Sequence, residues 1–69
     1  MVTTLTWEDS YAIALALIES SPNVELENVS LGMIYRWTLD LPGFDDDPDL
    51  ANDEILIEIY HAWFEEVYP

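Results

Sequence analysis

The chain has no cysteine, and in 69 residues it has one basic side chain, Arg36. The first absence excludes a disulfide staple and a thiolate metal site, so the fold must rest on packed apolar side chains. The second tells against direct binding to nucleic acid or anionic lipid, because both require Lys or Arg against phosphate. His61 is the one histidine, with no Ser-His-Asp spacing around it, which leaves nucleophilic catalysis without its usual parts. The apolar run from Tyr11 to Ile18 falls far below the roughly 20 residues that span a bilayer. Met1-Val2-Thr3-Thr4 lacks the basic stretch of a signal peptide. These absences predict a cytoplasmic protein that neither enters membranes nor binds nucleic acid.

What is present is apolar and acidic. Apolar residues make up 51% of the chain and three are Trp, enough for one small domain with a core of its own. A chain of this size buries only about 60% of its unfolded surface, so the margin of stability is thin. Fifteen acidic residues bring the formal net charge to -14, and the partner this implies is positive. Acidity that serves only solubility, or life in high salt, is the plainer reading. The clustering of the acids tells against it.

The apolar spacing predicts an all-α, three-helix domain. Thr6-Trp7-Glu8-Asp9 reads as a helix start, with Thr6 as the cap and the two acids at the positive end of the dipole. This first helix runs to Glu19 or Ser20 ahead of Ser21-Pro22, with Trp7, Ile13, Ala14 and Leu17 on its core face. Tyr11, Leu15 and Ile18 form a second apolar face, expected to be covered by neighbouring segments or else to serve as a contact patch. The connection from Asn23 to Asn28 has room for one short turn. Ser30 caps a short second helix with Ile34, Trp37 and Leu41 at helical spacing, ended by Pro42-Gly43. Arg36 is expected to pair with Asp40. A third helix is capped by Asn52, carries Ile55, Leu56, Ile59, Ala62, Trp63 and Val67 on its inner stripe, and runs to about Glu66.

Between the second and third helices lies Phe44-Asp45-Asp46-Asp47-Pro48-Asp49, expected to be a loop anchored by Phe44 with its four Asp in water. With Asp53 and Glu54 it places six carboxylates within ten residues. Hard cations such as Fe(II), Mg, Mn or Ca suit such oxygens. Asp45, Asp47 and Asp49 even match the first ligands of a calcium loop, but Leu50 stands where that loop needs Gly and Leu56 where it needs Glu. Any metal site is therefore open and weak. A solvated loop that complements the third helix would explain Asp53 and Glu54; adjacent Asp45, Asp46 and Asp47 repel one another and are better explained by something positive laid over them. The domain is too small to give a buried carboxylate pair a cleft, so no enzyme activity is expected. At helix spacing His61 sits near Ile57, Phe64 and Glu65, at the surface or half-buried, rather than as a metal ligand.

Several stretches together resemble the IscX family, the small acidic proteins encoded with the bacterial iron-sulfur cluster assembly system. They are Leu5-Thr6-Trp7-Glu8-Asp9-Ser10, Arg36-Trp37 with Asp40-Leu41, Phe44-Asp45-Asp46-Asp47-Pro48, and Asn52 followed by Ile55-Leu56, Trp63 and Glu65-Glu66. Ile13, Leu17 and Pro22 extend the likeness through the first helix. The resemblance implies a helical fold related to the winged helix, with little or no strand. It implies binding to the cysteine desulfurase of the pathway, through carboxylates that meet a basic surface bacterial frataxin also uses. It further implies weak ferrous iron binding and a role as regulator or adaptor, with no tightly bound cofactor.

On that basis the partner-binding residues are Asp45, Asp46, Asp47, Asp49, Asp9, Glu65 and Glu66, and the weak metal ligands are Asp45, Asp46, Asp47, Glu54 and Glu58. A monomer is expected, with a dimer through Tyr11, Leu15 and Ile18 the other option. The chain departs from the family in having almost no Lys or Arg in the first helix and the connection after it, so its field is more purely negative. Two further readings share the same charge: an acidic mimic of nucleic acid that occupies the groove of a basic protein, and a simple metal-buffering domain.

Overall fold

The computed structural model describes residues 4–69, so the expectation about a leader at Met1, Val2 and Thr3 lies outside the described residues. Three helices carry the chain: α1 (Ser10–Ser20), α2 (Leu31–Leu39) and α3 (Asp53–Val67). The all-α class holds. Among the described residues no strand forms beyond an isolated parallel bridge between Leu5 and Phe44.

The start of α1 departs from expectation. Thr6 does not cap it. Instead Thr6 to Asp9 close a turn in which the Asp9 N–H donates to the Thr6 carbonyl at 3.0 Å. The Asp9 carboxylate, the stronger acceptor, takes the Thr6 backbone N–H at 3.0 Å and the Thr6 hydroxyl at 3.3 Å. The helix therefore begins at Ser10 with no acid in its first turn. Trp7 is buried as expected, but from the turn and not from the helix. Ile13, Ala14 and Leu17 form the buried face. On the other apolar face only Ile18 is partly covered; Tyr11 and Leu15 are exposed, because α3 packs on the inner side and no further helix among the described residues shields them.

A single 3-10 turn, Leu26–Asn28, occupies the connection and buries Leu26. Ser30 caps α2 by accepting the Met33 N–H at 3.2 Å. Ile34 and Thr38 are its buried residues, while Trp37 is half-buried. The helix stops at Leu39, earlier than Pro42-Gly43 suggests; Leu41 is buried beyond its end, and Gly43 turns the chain with a φ of 88°, a conformation that favours glycine. The pairing of Arg36 with Asp40 runs through the backbone, Asp40 N–H to Arg36 carbonyl at 3.2 Å, and among the described residues no ion pair joins their side chains.

In α3 the Asn52 side chain accepts the Ile55 N–H at 2.9 Å, and Leu56, Ile59 and Trp63 are buried. Ile55 and Ala62 are half-buried at the edge of the core. Val67, expected on the inner stripe, is exposed, because the 15 residues of α3 extend past the packing that the 11 residues of α1 provide. The three isoleucines Ile13, Ile34 and Ile59, one from each helix, are fully buried at the centre. Burial of a side chain of this kind contributes about 1.5–3 kcal/mol. Trp63 of α3 meets Trp37 of α2 with ring centroids 6.3 Å apart, and the Tyr60 hydroxyl ties α3 to the Leu26 carbonyl at 3.4 Å.

Candidate functional site

The acidic loop is held by the turn that precedes α1. Leu5 N–H donates to the Gly43 carbonyl at 2.8 Å and Asp45 N–H to the Leu5 carbonyl at 2.9 Å, which makes the bridge between the two segments. Trp7 adds two bonds. Its backbone N–H donates to Asp46 Oδ2 at 3.0 Å, and its indole N–H donates to the Asp47 carbonyl at 2.8 Å. Phe44 packs edge-on against the Trp7 ring at 4.7 Å, the anchoring expected of it, and Tyr35 stacks parallel to the same ring at 6.0 Å. One buried tryptophan thus holds the loop by packing and by hydrogen bonds at once.

These contacts divide the Asp residues by task. Asp46 is half-buried, not in open water as expected; besides Trp7 its carboxylate accepts the Asp47 N–H at 2.8 Å. Asp47 is exposed, and its Oδ1 accepts the Asp49 N–H at 2.9 Å, capping a 3-10 turn over Pro48–Leu50. The self-repulsion of the triple Asp is thereby offset in part from within, by backbone N–H donors. Asp45 and Asp49 are exposed, and among the described residues their carboxylates accept no hydrogen bond. They are free to face a partner.

Other candidate residues converge on the same end of α1. Asp9 sits in the turn with Trp7, and Glu66 arrives from the C-terminal end of α3 to accept the Tyr11 hydroxyl at 3.2 Å. That bond, with the negative charge behind it, holds the Tyr11 phenol above its ordinary range. Residues 6–11 are therefore a node touched by carboxylates from the loop, the turn and α3. Glu54, Glu58 and Glu65 lie exposed along α3 and are not drawn into this node by any hydrogen bond among the described residues. Glu54 and Glu58 line a shallow depression with His61 and Ile57, and His61 is exposed. A second open groove, about 450 Å³, runs between the loop and the start of α3, lined by Thr6, Trp7, Glu8, Asp46, Leu50 and Ile55.

The donor chemistry suits a hard cation, but the arrangement does not enclose one. Among the described residues no three His, Asp or Glu side chains converge into a metal-holding group, and two of the four loop carboxylates, those of Asp46 and Asp47, already accept backbone N–H bonds. A hard ion demands several oxygens at once. Any ion here would meet loose outer oxygens.

The model of the family described as iron-sulphur cluster assembly matches residues 5–68, which includes the turn, the loop and all of α3. The chain belongs to the iron-sulphur cluster assembly family. The uncharacterized protein PA3808 of Pseudomonas aeruginosa is 40% identical over 62 residues, covering 90% of this chain and 94% of that protein. As a member of the iron-sulphur cluster assembly family, the protein has its role among the components that build these clusters. No helix among the described residues is long and apolar enough to cross a membrane. Reasoning from the sequence missed Trp7 as the holder of the loop and placed it on a helix face; the separation of 40 residues between its indole and the Asp47 carbonyl has no local signature.

Proposed function

We propose that this member of the iron-sulphur cluster assembly family is an accessory protein, not a catalyst, which docks on a basic surface of a cysteine desulfurase and regulates it. The observation that carries this reading is the node at residues 6–11. There the carboxylates of Asp9, Asp46 and Glu66 are gathered from three parts of the chain, with the Asp47 carbonyl beside them and no side-chain cation paired to them among the described residues. A fixed anionic surface of this kind steers and orients a basic partner more than it adds raw affinity. Asp45 and Asp49 present their carboxylates outward from the loop that the node holds in place. Ferrous iron, as cargo, is held weakly by the exposed acids, Asp45 and Asp47 in the loop and Glu54 and Glu58 on α3, and its presence tunes docking by neutralising them. The protein acts in the cytoplasm and as a monomer.

The test is a titration against purified cysteine desulfurase at two salt concentrations, with the chain intact and with Asp45→Asn and Asp49→Asn combined. Neither side chain holds the fold, so a loss of affinity reports the interface. Affinity is expected to fall about tenfold in the double variant and steeply with salt. Equal affinity for both chains, or none for the desulfurase at low salt, would reject the reading.

A further inference from the structure

The outer face of α3 has a pattern that the acidic loop does not explain. Ile57, Phe64 and Tyr68 are 40%, 46% and 57% exposed, and with exposed His61 they recur at intervals of four, three and four residues. That spacing is the seam of a helix prepared to meet another helix. The inner face of α3 is spent on Leu56, Ile59 and Trp63, so this seam points away from the core. Phe64 and Tyr68 lean on each other with centroids 4.9 Å apart, which holds the far end of the seam as one apolar surface. From Ile57 to Phe64 it spans about 10 Å, roughly two helical turns, and Tyr68, the residue just past the end of α3, continues it.

Charge decides what can cover it. Glu54, Glu58 and Glu65 fall in a row along one edge of the seam at helical spacing, all exposed, and α3 carries no Lys or Arg. A second copy of the chain would set this row, and a net charge of -14, against its own like. We infer that the outer face of α3 is a docking surface for an amphipathic helix of a partner protein, one with an apolar stripe edged by Lys or Arg. The apolar seam supplies contact area, and the glutamate row sets orientation by pairing with the basic edge. This surface is separate from the node at residues 6–11. It stands whether or not the partner of that node is a desulfurase.

The experiment uses a two-heptad peptide of Leu and Lys with Leu at the seam positions, and a scrambled peptide of the same composition. Binding is followed by NMR amide shifts on the intact chain. The heptad peptide is expected to shift residues around Ile57, His61, Phe64 and Tyr68 and to bind about tenfold more tightly than the scrambled one. Phe64→Ser and Ile57→Ser, both at exposed positions, are expected to remove that preference while leaving the helical circular dichroism intact. Equal binding of the two peptides, or shifts centred on residues 44–49, would overturn the inference. So would a dimer of the chain alone that Ile57→Ser dissolves. Shift mapping on the unaltered chain decides the matter even if a variant folds poorly.

Discussion

The acidic loop and α3 follow each other in the chain, yet they are ordered by opposite means. In α3 the order is repetitive: a cap at Asn52, then Leu56, Ile59 and Trp63 at helical spacing, each entering the core. In the loop it is singular: a few long-range hydrogen bonds to Leu5 and Trp7, with one aromatic contact at Phe44. Many small equivalent contributions tolerate the loss of one near the surface. A structure held by a few long-range bonds is more exposed to the loss of any one of them.

The largest effect separating the two regions is expected in the core of α3. Ile59→Ala should lower global stability by about 2–5 kcal/mol in urea unfolding, with loop and helices lost together. Next is Trp7→Phe, which keeps an aromatic ring but removes the indole N–H that meets the Asp47 carbonyl. It should cost about 1–2 kcal/mol, and hydrogen exchange should show the loop amides of Asp47 and Asp49 opening while those of α3 stay protected. Equal loss of protection in both regions would mean that the loop and the helix form one cooperative unit. The smallest contrast is between neighbours. Asp46→Ala is expected to destabilise by about 1–2 kcal/mol through the N–H groups it leaves unpaired, whereas Asp45→Ala should stay within about 0.5 kcal/mol. If the two variants were alike, the division of labour among these aspartates would fall.

That same contrast explains what was legible in the sequence. The caps at Ser30 and Asn52, the inner stripe of α3 and the stop before Pro22 depend on residues within a turn of one another, and such spacing is written in the chain. The place of Trp7 depended on a partner far along the chain. So did the orientation of Asp46, whose carboxylate looks from composition like one more solvated charge. Local chemistry also misled at Thr6, since a Thr and an Asp three apart can each cap the other's segment, and only the geometry shows that Asp9 accepts and Thr6 donates. The burial of Thr38 had no signal at all; its hydroxyl is enclosed without a hydrogen-bond partner among the described residues. Of the candidate acids, Asp9, Asp46 and Glu66 meet residues 6–11 through hydrogen bonds, Asp45 and Asp49 stand clear of them, and Glu54, Glu58 and Glu65 form a row of their own along α3.

The parallel bridge between Leu5 and Phe44 has a consequence for how the molecule reaches its native state. It joins two anionic stretches from distant parts of the chain, Glu8-Asp9 on one side and Asp45 to Asp47 on the other. Closing so long a loop is slow for reasons of entropy alone, and here the approaching ends also repel. Helix formation meets no such obstacle. The loop is thus expected to settle last and come loose first, and dissolved ions, by shielding the approach, are expected to hasten its closure.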